Sequence, residues 1–196
     1  MPGVPFTALA ETTGPPGVSE GEVSMELVDL YDENRIPLGK TAERYAPKGP
    51  GEYRLVVHVC AFDHHGRLLI QRRSGEKANW PDRWDVSIGG GVDTGETSRQ
   101  AAEREFLEEL GYPLDLGNRR ASVTVNFEGG FDDFFILQVD LDLSTLTLQR
   151  EEVSEVRYVT EEEAEALRLE GSFIPYPDGF LKFLFAMRDT FGFPSK

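Results

Sequence analysis

The sequence predicts an α/β sandwich around a mixed β-sheet. Short apolar runs of strand length, bounded by turn residues, recur from residue 24 onward. A helix with one apolar stripe follows the fourth run, and two further helical stretches lie in the C-terminal third. Strands framed by three helices bury their apolar faces best when the helices cover a sheet.

Residues 1–21 read as a tail, with four prolines, four glycines and little apolar area beyond Phe6 and Leu9. Residues 22–196 read as one domain, because no second linker or internal repeat interrupts the pattern. The first strand is expected over Ser24–Tyr31, closed by Asp32, Glu33 and Asn34. The second, Arg54–Phe62, carries Leu55, Val56, Val57 and Val59 and should be buried on both faces. The turn Asp63-His64-His65-Gly66 then returns the chain into Leu68–Gln71 as a hairpin. Further strands are expected at Trp84–Ile88, Ser122–Phe127, Phe134–Leu141 and Val156–Val159.

The first helix should run from Ser98 to Leu110. Thr97 and Gln100 form a capping box at its start, and Gly111 stands where a left-handed cap would end it. Ala102, Phe106 and Leu110 give it a stripe for packing on the sheet. Thr160, followed by Glu161, Glu162 and Glu163, caps a second helix to about Leu169. A third is expected from Asp178 to Thr190, with Phe180, Leu184, Met187 and Phe191 on one side.

Composition narrows the function. With 196 residues, 39% hydrophobic and 11% aromatic, the chain is globular and long enough to bury a core. A net charge of −15 argues against nucleic acid and membrane surfaces, both polyanionic. An anionic small molecule stays compatible if cations bridge it to the acids. The lone Cys60 excludes an internal disulfide, no apolar run reaches membrane length, and the N-terminus lacks a signal pattern. A cytoplasmic protein is the expectation; a homodimer is left open.

The first helix carries its acids on one face. Glu105, Glu108 and Glu109 stand at i, i+3 and i+4, so their carboxylates are predicted to converge. Like charges so placed repel by a few tenths of a kcal/mol per pair. Such a cluster is either a solvated acidic face or a site for a hard divalent cation, which takes oxygen ligands.

The segment GGGVDTGETSRQAAEREFLEELGY, Gly89 to Tyr112, resembles the signature of the Nudix hydrolases position by position: Gly90, Glu96, Arg104, Glu105, Phe106, Glu108, Glu109, Gly111 and Tyr112. The resemblance implies an α/β/α sandwich and a hydrolase dependent on Mg²⁺ or Mn²⁺. It implies a small-molecule substrate in which a diphosphate is linked to another group X. Glu105, Glu108 and Glu109 would hold the metal, with the Gly90 carbonyl as an additional ligand, and Glu96 would orient Arg104. The general base would be Glu105 or a downstream acid: Asp132, Asp133, Glu151 or Glu152.

Met25 to Tyr112 is also similar to the branch that includes type I isopentenyl-diphosphate isomerases, through VDLYDENRIPLGKTAERYA and RRSGEKANWPDRWDVS. In those isomerases the positions of Arg73 and Lys77 hold the substrate diphosphate. Their cysteine, however, falls at Gly89 or its neighbours, their metal histidines have no match near Pro47 or Arg54, and Cys60 is expected in the core. Isomerisation is therefore not expected, nor is a non-catalytic ligand sensor, since the acidic box is intact. Trp80 and Trp84 are read as core and loop packing, His58 as a satisfied sheet histidine, and His64 and His65 as exposed. Family members acting on ADP-ribose carry a proline past the box where this chain has Phe127 and Glu128, which argues against that substrate.

Overall fold

The computed structural model describes residues 26–190. The expected tail, the start of the first strand at Ser24 and Met25, and Phe191 lie outside them.

Nine strands and three helices form the predicted three layers. The strands are β1 (Leu27–Tyr31), β2 (Pro37–Glu43), β3 (Arg54–Phe62), β4 (Leu68–Arg73), β5 (Trp84–Val86), β6 (Ile88–Gly91), β7 (Val123–Phe127), β8 (Gly130–Gln138) and β9 (Val153–Val159). The helices are α1 (Ser98–Leu110), α2 (Glu161–Leu169) and α3 (Phe180–Met187). The main sheet has the order β5-β4-β3-β8-β7, with β6 also on β3 and β9 also on β4. Only β3 and β8 pair in parallel, so the sheet is mixed.

Strand alternation sorts the core into two clusters. Val57, Val59, Ala61 and Leu69 face α1 and meet its Ala102, Phe106 and Leu110. Cys60, Phe62, Leu68 and Ile70 face the opposite way, against Leu181, Leu184 and Phe185 of α3. Cys60 is a fully buried core residue, and burial pushes its thiol well above its usual range.

The helix caps follow the sequence closely. Thr97 and Gln100 exchange both capping-box bonds, Gly111 adopts φ 68° at the C-terminus of α1, and Thr160 with Glu163 caps α2 the same way. Several strands depart from expectation. β2 was not expected; it pairs with β1, and nearly all of it is exposed, so no alternation marked it. The Trp84–Ile88 run divides at Ser87, with β5 bonding β4 and β6 bonding β3 where those two strands diverge. The buried Ser87 hydroxyl closes the gap, donating to the Leu69 carbonyl (2.6 Å) and accepting from the Ala61 amide (2.9 Å). β8 starts at Gly130 rather than Phe134 and ends at Gln138, because a tight turn at Glu128-Gly129 joins it to β7. β9 starts at Val153. α3 is shorter than expected, since Gly179 at φ 82° delays its start and it ends at Met187.

Candidate active site

The acids of α1 open onto a cleft of about 280 Å³ between that helix, β6 and the loop before β9. Glu105, Glu108, Glu109, Glu152, Arg104 and Lys77 line it. Arg104 is fixed as the sequence implied: its guanidinium bonds both oxygens of Glu96 (2.9 and 3.0 Å) and the Gly91 carbonyl (3.0 Å). Its remaining Nη1 donates to Glu105 and Glu108, each at 3.0 Å. Burial works against the charge on Arg104, but Glu96 and Glu105 outweigh it and hold its pKa above the ordinary value.

The three acids are not equivalent. Glu108 is about half exposed, whereas Glu105 and Glu109 are buried. Burial raises the Glu105 carboxyl to about 7, and it lifts Glu109 well above the carboxylate range, with Glu105 and Glu152 adding repulsion. Glu109 Oε2 is buried without a hydrogen-bond partner. The expected convergence is incomplete: among the described residues no three His, Cys, Asp or Glu side chains already form a metal shell. Arg104 accounts for this, since it engages Glu105 and Glu108 while Glu109 points inward. The donor set nonetheless fits a hard cation. Buried carboxylates disfavoured as anions, one with an orphaned oxygen, are groups that a divalent ion would stabilise.

A second cleft of similar size adjoins the first and shares Arg44, Tyr45, Lys77 and Gly89 with it. Arg73 lines it, donating to the Asn79 carbonyl (3.2 and 3.1 Å) and lying 3.7 Å from Asp85. Lys77 is ion-paired with Glu152. These two cations therefore form walls of the clefts rather than a free basic loop.

The structure separates the candidate bases. Glu152 lines the acid cleft, while its neighbour Glu151 is exposed on an outer rim. Asp132 bonds His58 Nδ1 at 2.8 Å. Asp133 points to the other face, where Arg35 and Thr124 engage it, and is removed from the acids. That face holds a larger cavity, about 600 Å³, which contains none of the α1 acids.

Sequence reasoning missed Arg44. It lines both clefts, its Nε is buried without a partner, and Glu26 keeps its pKa raised against the opposing effect of burial. No motif marked it. Trp84 is buried as expected, with Arg157 4.5 Å over its ring, but Trp80 is half-exposed at the rim of the second cleft and is not core. His64 and His65 are exposed, as read.

Comparison with known proteins places the chain in a family. Residues 52–177 match the NUDIX domain. The Nudix hydrolase lin0387 of Listeria innocua is 53% identical over 166 residues, 85% of this chain and 97% of its own. Isopentenyl-diphosphate Delta-isomerase of Streptomyces coelicolor is 33% identical over 118 residues, 60% of each chain. The crystal structure of DR0079 from Deinococcus radiodurans superposes with a TM-score of 0.65 at 25% identity, covering 81% of this chain and 97% of that one. The chain belongs to the Nudix hydrolase family. Members of that family generally use divalent metals and act on small molecules. Among the described residues no helix is long and apolar enough to cross a membrane.

Proposed function

We propose that the chain is a Mg²⁺- or Mn²⁺-dependent pyrophosphohydrolase that cleaves a diphosphate linked to a group X, a nucleoside diphosphate derivative or a related organic diphosphate. One observation carries this reading: a single cleft gathers Glu105, Glu108, Glu109 and Glu152 opposite Lys77 and beside Arg104. Glu105, Glu108, Glu109 and the Gly90 carbonyl would hold the metal. A bound divalent cation would supply the positive charge that screens the diphosphate from the acids and stabilises charge developing on the leaving oxygen.

The chain's own groups do the rest. Glu96 locks Arg104, and Arg104 orients Glu105 and Glu108. Arg73 and Lys77, joined by Arg44, grip diphosphate oxygens from the wall between the clefts. Glu152 takes a proton from the attacking water as its oxygen bonds to phosphorus and the bridging P–O bond breaks. Glu105 is the alternative base. Glu152 is preferred because its carboxylate lies on the cleft and Glu105 sits under Arg104. The test is hydrolysis of a panel of nucleoside and isoprenoid diphosphates, read as phosphate or pyrophosphate release. Turnover of none of them with Mg²⁺ or Mn²⁺ would overturn the reading.

The buried acids also predict how metal and pH set stability. Folded-state pKa values raised above the unfolded ones mean that the folded protein binds more protons in the interval between them. Stability of the metal-free protein should therefore fall as pH rises from about 4.5 through about 7, the ordinary and folded values for Glu105. A cation that binds only the folded site opposes this by about 2.7 kcal/mol at a hundred times its Kd. That is worth about 5–10 °C in melting temperature. Melts in EDTA at pH 5 and 7.5, then with MgCl₂ or MnCl₂ against NaCl at matched ionic strength, check it. Equal shifts for both salts at pH 7.5 would mean a solvated acidic face.

Isopentenyl diphosphate should not be isomerised. The isomerase cysteine position falls at Gly89 or its neighbours, where this chain has no thiol, and a Cβ at Gly89 itself would lie 2.6 Å from the His58 ring. Incubation of labelled substrate with Mg²⁺ and product analysis test this; dimethylallyl diphosphate formed at an enzymatic rate would contradict it.

A further inference from the structure

Strand β6 carries three consecutive glycines, of which Gly89 and Gly90 line the clefts, and each makes room for one side chain. A Cβ on Gly90 would lie 2.0 Å from the Glu105 carboxyl, and one on Gly91 would lie 3.0 Å from Arg44 Nε. A Cβ on Gly89 would lie 2.6 Å from His58 Cδ2 and Nε2. Glu105 and Arg44 belong to the proposed machinery; His58 has been given no part in it.

His58 sits in the middle of β3, opposite Gly89 in the sheet register. Its ring stacks on Phe134 (4.9 Å between centroids, 10° between planes), and Asp132 bonds Nδ1 at 2.8 Å. A phenylalanine would stack equally well without burying a polar ring and a carboxylate, so packing alone does not explain the pair. A carboxylate can only accept, so Nδ1 donates to it and Nε2 is the ring atom left to bond. Among the described residues Nε2 has no hydrogen-bond partner, and it is not sealed from solvent. Its ring lines the second cleft with Arg73, Asp85 and Tyr176, whose hydroxyl donates to Asp85 at 2.7 Å.

We propose that His58 is a specificity-determining residue: Asp132 fixes the ring, the missing Cβ of Gly89 clears its edge, and Nε2 hydrogen-bonds the group X of the substrate. This rests on the pyrophosphohydrolase reading, because it places X in the cleft beyond the diphosphate grip of Arg73 and Lys77. Inorganic pyrophosphate has no group X, so its binding should not depend on the bond from His58.

The test compares the nucleoside diphosphate derivative best hydrolysed in the panel with pyrophosphate as a competitive inhibitor. In the full chain, His58→Phe should raise KM about tenfold, the scale of one hydrogen bond to a charged ligand. Its kcat should stay within about threefold, and its pyrophosphate inhibition constant should stay unchanged. His58→Gln, whose amide reaches the position of Nε2, should recover most of the loss. His58→Asn, which reaches only Nδ1, should not. If His58→Phe fails to fold, the contrast between Gln and Asn decides alone. Unchanged KM in both His58→Phe and His58→Asn, or equal weakening of pyrophosphate and substrate, would overturn the inference and leave the hydrolase reading intact. A wild-type protein that turns over no panel member would bring down both.

Discussion

Glu109→Gln is expected to lower hydrolysis at least a hundredfold while leaving the metal-free protein folded and no less stable. The catalytic loss is on the order of that seen when one preorganised charge-stabilising group is removed, about 10²–10³. Position 109 lies within α1 and is buried, so the fold must tolerate the new side chain in place. What protects it is the removal of a charge that burial disfavours and that Glu105 and Glu152 repel. Gln keeps the shape, and its amide NH2 brings two N–H donors in place of an orphaned oxygen, a smaller penalty than an unpaired buried anion. Glu108→Gln should match it in activity but not in stability, because Glu108 is half-exposed and its bond to Arg104 loses the charge that strengthens it. The variants also separate by pH: Glu109→Gln should flatten the decline of metal-free stability above pH 5, and Glu108→Gln should leave it. Steady-state rates with saturating Mg²⁺ and melts in EDTA measure both. Turnover near the wild-type rate in the two variants would remove the acids from the mechanism.

The parts of this site that the sequence revealed are the local ones. Helix α1, its caps and its stripe depend on residues within a few positions of one another, so pattern and cap chemistry sufficed. The Glu96–Arg104 fork was legible through the family resemblance and appears with both bonds in place. Elements fixed by distant partners were hidden. β2 is a ribbon strand with almost no buried face, and β8 lost its apolar signal where Asp132 and Asp133 enter it. The break at Ser87 comes from the divergence of β3 and β4, which no local pattern records. With β8 starting at Gly130, Asp132 and Asp133 are adjacent strand residues and point to opposite faces, so only one of them can face the acids. Arg44 lay unmarked inside a segment notable only for its resemblance, and His58 read as a satisfied sheet residue. Their setting shows only when the Gly89–Gly91 run is read as three cleared positions, each facing a different side chain.

Gly90→Ala is expected to abolish activity as thoroughly as removing Glu105, although it deletes no functional group. The added methyl would stand 2.0 Å from both Cδ and Oε1 of Glu105 and 2.6 Å from Cγ. Glu105 is buried and held by Arg104, so it cannot relax without leaving that bond. Nor can β6 retreat easily, since Gly90 pairs with Val57 in the central strand of the sheet. Overpacking of this kind costs about 1–3 kcal/mol, and the carboxylate most easily displaced is the one proposed to bind metal. A double-mutant cycle with Glu105→Ala identifies the cause. Once the Glu105 side chain is truncated, the overlap is gone, and Gly90→Ala should cost little further stability and no further activity. Strict additivity of the two stability losses would show instead that Gly90 is required by the strand backbone. In that case the glycine is no part of the carboxylate's seat, and activity in Gly90→Ala should fall only as far as the folded fraction does.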